Sequence, residues 1–130
     1  MKKCILYLII FGLISCTKSQ NTTPDLGAQI TGIYQATKAD ISGQIVKLPQ
    51  NGISMGVELS RIDNSHAEFF LVASFSGTKQ KEGSPVILTQ SGEKIIIMKN
   101  DESIGYVKGK NIHLDFTSED GSKIVLEANI

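Results

Sequence analysis

The sequence has no tryptophan, only two cysteines and three prolines, and no excess of either charge. Thirteen basic residues balance thirteen acidic ones, so the chain lacks the net positive charge that favours a nucleic-acid partner. Its 130 residues are too few for a TIM barrel or a two-domain enzyme. The hydrophobic share of 41% is high enough to build a core, which disfavours a disordered chain. What remains is one small globular domain.

The first residues have the three parts of a secretory signal. Met1-Lys2-Lys3 is a basic start, residues 4–14 are an apolar run, and small residues follow it. This run is about half the ~20 residues that a helix needs to cross a bilayer, so a retained transmembrane anchor is not expected. We therefore predict that residues 1–15 are a cleaved signal peptide.

The end of this segment, Leu13-Ile14-Ser15-Cys16, resembles the lipobox of bacterial lipoproteins. The resemblance implies cleavage before Cys16 and attachment of a diacylglycerol to its sulfur, usually with acylation of the new amino group. Each buried lipid methylene contributes ~0.8 kcal/mol, so two or more acyl chains would hold the protein stably on a membrane. The alternative is an ordinary secretory leader with an incidental cysteine.

The residues after Cys16 indicate which membrane and which face. Thr17 stands where an Asp, in lipoproteins of this kind, often signals inner-membrane retention, so the resemblance implies delivery to the outer membrane. The segment Thr17-Lys18-Ser19-Gln20 lacks the acidic cluster of surface-exported lipoproteins, which favours the periplasmic face.

Lipidation also decides the domain boundaries and the role of the cysteines. Cys4 leaves with the signal and Cys16 carries the lipid, so the mature body has no thiol for a disulfide, a redox reaction or a metal. Residues 16–29 are predicted to be the lipidated cysteine and a flexible tether, because Thr17 to Gln29 show neither strand nor helix period. Residues 30–130 are predicted to form a single domain.

From Ile30 onward, short β-rich runs alternate with turn sequences, which predicts an all-β antiparallel domain. The clearest strand, Ile53–Ile62, alternates apolar and polar residues, and we expect it to form a hairpin with His66–Ser76. Seven further strands are predicted at Thr31–Thr37, Ile41–Leu48, Val86–Gln90, Lys94–Lys99, Ile104–Lys108, Asn111–Thr117 and Lys123–Ala128. Eight or nine such strands can close a small meander barrel, with a β-sandwich as the alternative.

The apolar side of each strand predicts the core. The predicted core residues are Tyr34, Val57, Leu59, Phe69, Leu71, Phe75, Ile112, Leu114, Phe116, Ile124 and Leu126. Two strands are apolar on both faces, one at Phe70 and Val72 and the other at Met98. Their second face is either covered or forms an exposed patch that binds a partner.

One motif resembles a catalytic site. Residues 52–56 fit the G-x-S-x-G pattern of α/β-hydrolases, and His113 follows later in the chain. That pattern requires a strand, a sharp turn and a helix, whereas Ser54 lies inside a predicted strand. We therefore predict no catalytic residue and expect no enzyme.

The two histidines are also weak metal candidates. His66 and His113 alternate with apolar neighbours, so we expect both to point outward. His113 and Asp115 share a face of one strand, and together with His66 or Glu68 they could bind a metal only if the strands were adjacent. We predict no metal site and no cofactor.

The start of the body, Thr31-Gly32-Ile33-Tyr34, is similar to the G-x-W opening of lipocalins, with Tyr in place of Trp. Small outer-membrane lipoproteins of the copper-resistance type open in a similar way. The resemblance implies a lipocalin-like barrel in which Gly32 lets the backbone bend and Tyr34 closes the floor.

Two functions from different classes fit such a barrel. A binding module would hold a small apolar ligand in a cavity of at least ~300 Å³, lined by residues such as Phe69, Leu71 and Tyr106. An interaction protein, acting as an inhibitor or accessory subunit of another envelope protein, would have a filled core and an exposed patch at Phe70 and Met98. The binding module is favoured, and no nucleic acid is expected as a partner.

Replacement of the predicted lipid attachment residue tests the anchor. We expect Cys16→Ser to move the protein from the membrane fraction to the soluble fraction, because the acyl chains are its only predicted hold on the membrane. Fractionation of the host cell followed by immunodetection measures this change. A variant that stays in the membrane fraction contradicts the prediction.

Overall fold

A computed structural model describes residues 23–130. The predicted signal peptide, Cys16 and the first part of the predicted tether lie outside the described residues. The described chain contains helix α1 (Leu26–Ile30) followed by nine strands. The strands are β1 (Gly32–Ile41), β2 (Gln44–Lys47), β3 (Ile53–Asp63), β4 (His66–Phe75), β5 (Thr78–Ser91), β6 (Lys94–Lys99), β7 (Glu102–Lys108), β8 (Asn111–Thr117) and β9 (Lys123–Asn129). The prediction of an all-β domain is confirmed.

The sheet closes into a barrel because β1 has partners on both of its edges. On one edge β1 pairs with β3 from Gly32 to Gln35, and on the other it pairs with β9 from Gln35 to Ile41. Strands β3 to β9 pair in chain order, and every pairing is antiparallel. Eight strands therefore form a closed barrel, and β2 is an extra strand in a hairpin with β1. The predicted barrel is confirmed over the sandwich.

The predicted hairpin of β3 and β4 is present, with a register that runs from Ile53 opposite Phe75 to Asp63 opposite His66. The largest differences from the predicted bounds are in β1, β2 and β5. The chain turns at residues 42 and 43, so the predicted strand Ile41–Leu48 shortens to β2 and β1 continues to Ile41. Strand β5 begins at Thr78 instead of Val86 because it pairs with the whole length of β4.

The interior contains most of the predicted core. Seven of the predicted residues are buried: Tyr34, Val57, Leu59, Phe69, Ile112, Leu114 and Leu126. Leu71, Phe116 and Ile124 are half-buried. The prediction for Phe75 is wrong, because this side chain is 47% exposed. It is the last residue of β4 before the turn into β5, where the strand has reached the rim of the barrel.

Helix α1, apart from its last residue Ile30, lies inside the segment that was predicted to be a flexible tether. Leu26 and Ile30 are buried against the barrel, so the folded body begins before Ile30. Its five residues are too few to show a helical period in the sequence, and its stability comes from packing. No helix in residues 23–130 is long and apolar enough to cross a membrane.

Truncation of a core leucine tests how much side-chain packing at the β1–β9 closure contributes to the stability of the barrel. Leu126 on β9 is fully buried and lies opposite Leu114 on β8 and Ala39 on β1. We expect Leu126→Ala to lower the free energy of unfolding by about 2–5 kcal/mol in urea denaturation. The matched control is Ile33→Ala, because Ile33 is 68% exposed, and it should change that free energy by no more than ~0.5 kcal/mol. Equal effects of the two changes would contradict the described core.

Candidate functional site

The two ends of the barrel differ, and α1 covers one of them, the closed end. The turn from β3 to β4 lies there, and the Leu26 N–H donates to the Asn64 carbonyl of that turn at 2.8 Å. The Tyr34 hydroxyl donates to the Ile30 carbonyl at 2.9 Å, and burial raises the pKa of Tyr34. Both apolar side chains of the helix, Leu26 and Ile30, are buried in the same core as Tyr34. The helix therefore seals this end.

Three polar side chains, Asp25, Arg61 and Asn64, hold the helix in place, and we call them the helix clamp. Arg61 Nε lies 3.0 and 2.9 Å from the two carboxylate oxygens of Asp25, and Arg61 Nη2 donates to Asn64 Oδ1 at 3.0 Å. Asp25 also caps the helix by accepting the Ala28 N–H at 3.0 Å. The Arg61 hydrogen bond and then the Ala28 N–H lower the pKa of Asp25 below its ordinary value.

Close packing under the helix adds to the clamp. A Cβ built on Gly27 would overlap the Asp63 carbonyl and the Arg61 side chain. Only a residue without a side chain lets the helix approach the β3–β4 turn this closely.

The opposite end, the open end, has a cleft where β7 and β8 separate. These strands pair only from Gly105 opposite Leu114 to Lys108 opposite Asn111. Nearer the open end, among the described strands, β7 pairs with β6 alone and β8 pairs with β9 alone. The pairing of β7 with β6 skips Ile104, so β7 has a bulge where it leaves β8. The gap between the two strands forms a cleft of about 540 Å³.

The cleft has an apolar floor and a polar rim. Its floor consists of Phe69, which is 7% exposed, and of the half-buried Ile104 and Phe116. The rim residues are Lys99, Asn100, Glu102, Ser103, Asp115, Thr117, Glu119 and Lys123. Apolar side chains line most of a typical small-molecule site and a few polar groups orient the ligand, so the floor is the part of this cleft that would bind one.

The far wall of the open end is extended by β3, β4 and β5. Strand β5 pairs with β6 only from Ile87 to Ser91, so among the described strands its first nine residues pair with β4 alone. The inner face of this extension includes Met55 and Leu71, which are half-buried against the core. Lys79, Lys81 and Pro85 on the free edge of β5 hinder pairing with another chain.

The sequence candidates for catalysis and metal binding are not brought together. Ser54 lies within β3 and His113 within β8, and these strands are not neighbours in the barrel. His66 Nδ1 lies 2.8 Å from Asp63 Oδ1, whereas His113 Nδ1 lies 3.5 Å from Glu127 Oε1. Within the described residues, no three His, Cys, Asp or Glu side chains are grouped so that they could hold a metal ion.

Tyr106, expected in the cavity, lies instead on the outer wall. Its ring stacks on His113 with centroids 5.3 Å apart, and the Lys94 ammonium lies 4.2 Å from its centroid. The alternation of β7 explains this position, because the buried residues are its neighbours Gly105 and Val107. Both aromatic rings line a second, open groove of about 860 Å³.

The exposed apolar patch that an interaction protein would use is not found where it was expected. Phe70, Val72 and Met98 are all half-buried. The Lys81 ammonium lies 4.3 Å from the centroid of the Phe70 ring, and the same ring would overlap a Cβ on Gly83. The glycine and the lysine therefore cover the Phe70 ring.

A solved structure supports the β-barrel fold of this chain. The chain is similar to a redesigned β-barrel with a TM-score of 0.55 and 12% identity, over 85% of this chain and 98% of the other. No protein-family model matches the sequence. No curated protein matches it either. The chain is a small antiparallel β-barrel protein, and this likeness concerns its fold alone.

The lowered pKa of Asp25 predicts an acid sensitivity of the closed end. A carboxyl whose folded pKa is depressed stabilises the fold above its unfolded pKa of 3.8, and that contribution is lost as the pH falls through the folded value. In the native protein we expect the hydrogen-exchange protection of the α1 amides to decrease when the pH is lowered below about 5.

The matched variant for this measurement is Asp25→Asn, which should reduce protection at neutral pH and flatten its dependence on pH. Asp63 and Asp120 also have lowered pKa values, chiefly through hydrogen bonds from the Ser65 N–H and the Ser118 hydroxyl respectively. Acid sensitivity therefore persists elsewhere in the variant. An unchanged pH dependence at α1 would contradict the role of the clamp.

Proposed function

We propose that this protein is a lipid-anchored envelope lipoprotein whose barrel binds a small apolar ligand at its open end. The observation that carries the ligand proposal is the cleft between β7 and β8, with Phe69, Ile104 and Phe116 as its floor. Its volume of about 540 Å³ is within the range of small-molecule sites, which is roughly 300–1,000 Å³.

The anchor proposal rests on the lipobox-like residues that end at Cys16. Acyl chains on Cys16 would attach the barrel to the outer membrane, and the residues after it favour the periplasmic face. The lipocalin-like opening at Gly32 and Tyr34 is consistent with a carrier, because Tyr34 packs against α1 at the closed end and leaves the other end free for a ligand.

The charges at the rim support an apolar ligand over a strongly charged one. Lys99 and Lys123 stand beside Glu102, Asp115 and Glu119, so neither sign dominates. Lys123 Nζ also lies 3.9 Å from Asp115 Oδ1, which partly neutralises both groups. The floor therefore supplies the favourable contacts and the rim remains hydrated.

The second candidate, an interaction or inhibitor protein with a filled core, has less support. It needs an exposed apolar patch, whereas the Lys81 ammonium covers the ring of the half-buried Phe70 at the expected place. The half-buried Ile104 and Phe116 expose apolar surface within a concave cleft, which suits a small molecule better than a flat protein surface.

A charge placed in the cleft tests the ligand site. We expect Ile104→Glu to weaken binding of the apolar fluorescent probe N-phenylnaphthylamine at least tenfold, because the new carboxylate needs water in a space that the probe must fill. The matched control is Ile87→Glu, since Ile87 is 48% exposed on β5 outside the cleft. Probe fluorescence titration of the unacylated barrel measures both, and equal binding by the two variants would contradict the site.

Native mass spectrometry of the lipid-free domain, purified from its own envelope, tests the proposal in the cell. We expect a retained small molecule in the wild-type domain and its absence in Ile104→Glu. A co-purified protein in place of a small molecule would favour the interaction protein instead.

A further inference from the structure

We propose that the helix clamp fixes the barrel with its closed end toward the membrane and its open end away from it. The cleft then exchanges its ligand with the aqueous space and not with the lipid layer that holds the anchor. This inference rests on the proposed lipid attachment at Cys16, and it adds the direction from which the ligand comes.

The clamp is the first fixed point of the fold after the proposed anchor. Asp25 follows Cys16 by nine positions. A chain of this length reaches at most roughly 30 Å when it is fully extended, and a flexible one spans on average only about 15–18 Å. The closed end is therefore held near the lipid surface.

The cleft lies at the other end of the strands. Strand β8 runs from Asn111 near the closed end to Thr117 at the cleft, which is seven residues. At ~3.3 Å per residue and the usual tilt of barrel strands, the two ends are roughly 15–20 Å apart along the barrel axis. The open end would touch the membrane only if the anchoring segment spanned the height of the barrel, about 15–20 Å, along the membrane normal, whereas its average span of about 15–18 Å is shared among all directions, so its conformational entropy opposes the inverted orientation.

Within residues 23–130, helix α1 covers the closed end, where a second entrance for the ligand would lie. Ile30, the last residue of the helix, and Tyr34 on β1 are both buried, and the Tyr34 hydroxyl donates to the Ile30 carbonyl. The backbone carbonyl of Asn64 accepts the Leu26 and Gly27 N–H groups at 2.8 and 3.3 Å. Backbone hydrogen bonds therefore hold the helix in addition to the side chains of the clamp. A lipid molecule from the anchoring layer would have to displace this helix before it reached the core.

Fluorescence quenching by labelled lipid measures the orientation directly. Two labelling sites serve for comparison, Lys110→Cys in the exposed turn at the closed end and Glu119→Cys in the exposed turn at the open end. Each full-length, acylated protein is reconstituted in phosphatidylethanolamine–phosphatidylglycerol vesicles that contain a lipid with a spin-labelled headgroup. We expect at least twofold stronger quenching of a thiol-linked fluorophore at position 110 than at position 119.

Variants of the clamp test whether it sets this orientation. We expect Arg61→Ala to reduce the difference in quenching between the two positions, and Arg61→Ala combined with Gly27→Ala to reduce it further. The matched control is Glu93→Gln, which removes an exposed ion pair with Lys108 and leaves the helix clamp intact. It should preserve the difference.

Each outcome decides between the proposals. Equal quenching at the two positions, or stronger quenching at position 119, would overturn the orientation while leaving the anchor in place. An unchanged difference in a folded Arg61→Ala protein would remove the clamp as its cause. Failure of the wild-type protein to bind the vesicles would instead overturn the proposed anchor.

Discussion

The pairing of β1 with β9 is the constraint on which the rest of the structure depends. Six residue pairs, from Gln35 opposite Asn129 to Ile41 opposite Ile124, join the first long strand to the last. The pairing removes the two long edges of the sheet and satisfies their backbone groups. On the inner side it brings Ala39 opposite Leu126, so a small and a large side chain fill the space together. This closure does not require a disulfide, because packing of the two strands supplies the stability.

Closure of eight strands explains why one end is packed and the other has a cleft. A barrel of this size is just wide enough for its own side chains, so the middle of the interior is filled. At each end of the barrel, the filling of the interior depends on how far each strand remains paired with both neighbouring strands. At the closed end α1 supplies the missing side chains, Leu26 and Ile30. At the open end, β7 leaves β8 and no described element replaces it, which exposes part of Ile104 and Phe116.

Local signals in the sequence are enough for most of the fold. Alternation along β3 correctly assigned Val57 and Leu59 to the core, and the turn at residues 63–65 gave the hairpin with β4. The first part of β5 could not be predicted, because residues 78–85 are mostly polar and show no one-sided pattern. They form a strand only because β4 supplies hydrogen-bond partners along its whole length, a tertiary effect that a local pattern does not contain.

The candidate site could be predicted only in part, since it depends on where strand pairing stops. Phe69 and Phe116 were recognised as inward-facing, but their position at an opening follows from the end of the β7–β8 pairing at Gly105. A signal was present there, because a glycine inside a predicted strand often marks a bulge or a close backbone approach. A Cβ on Gly105 would overlap the His113 carbonyl, so this glycine lets β8 approach β7 at the last pair before they separate. Gly105 thus allows the last residue pair between β7 and β8 to form, and the cleft begins directly beyond that pair.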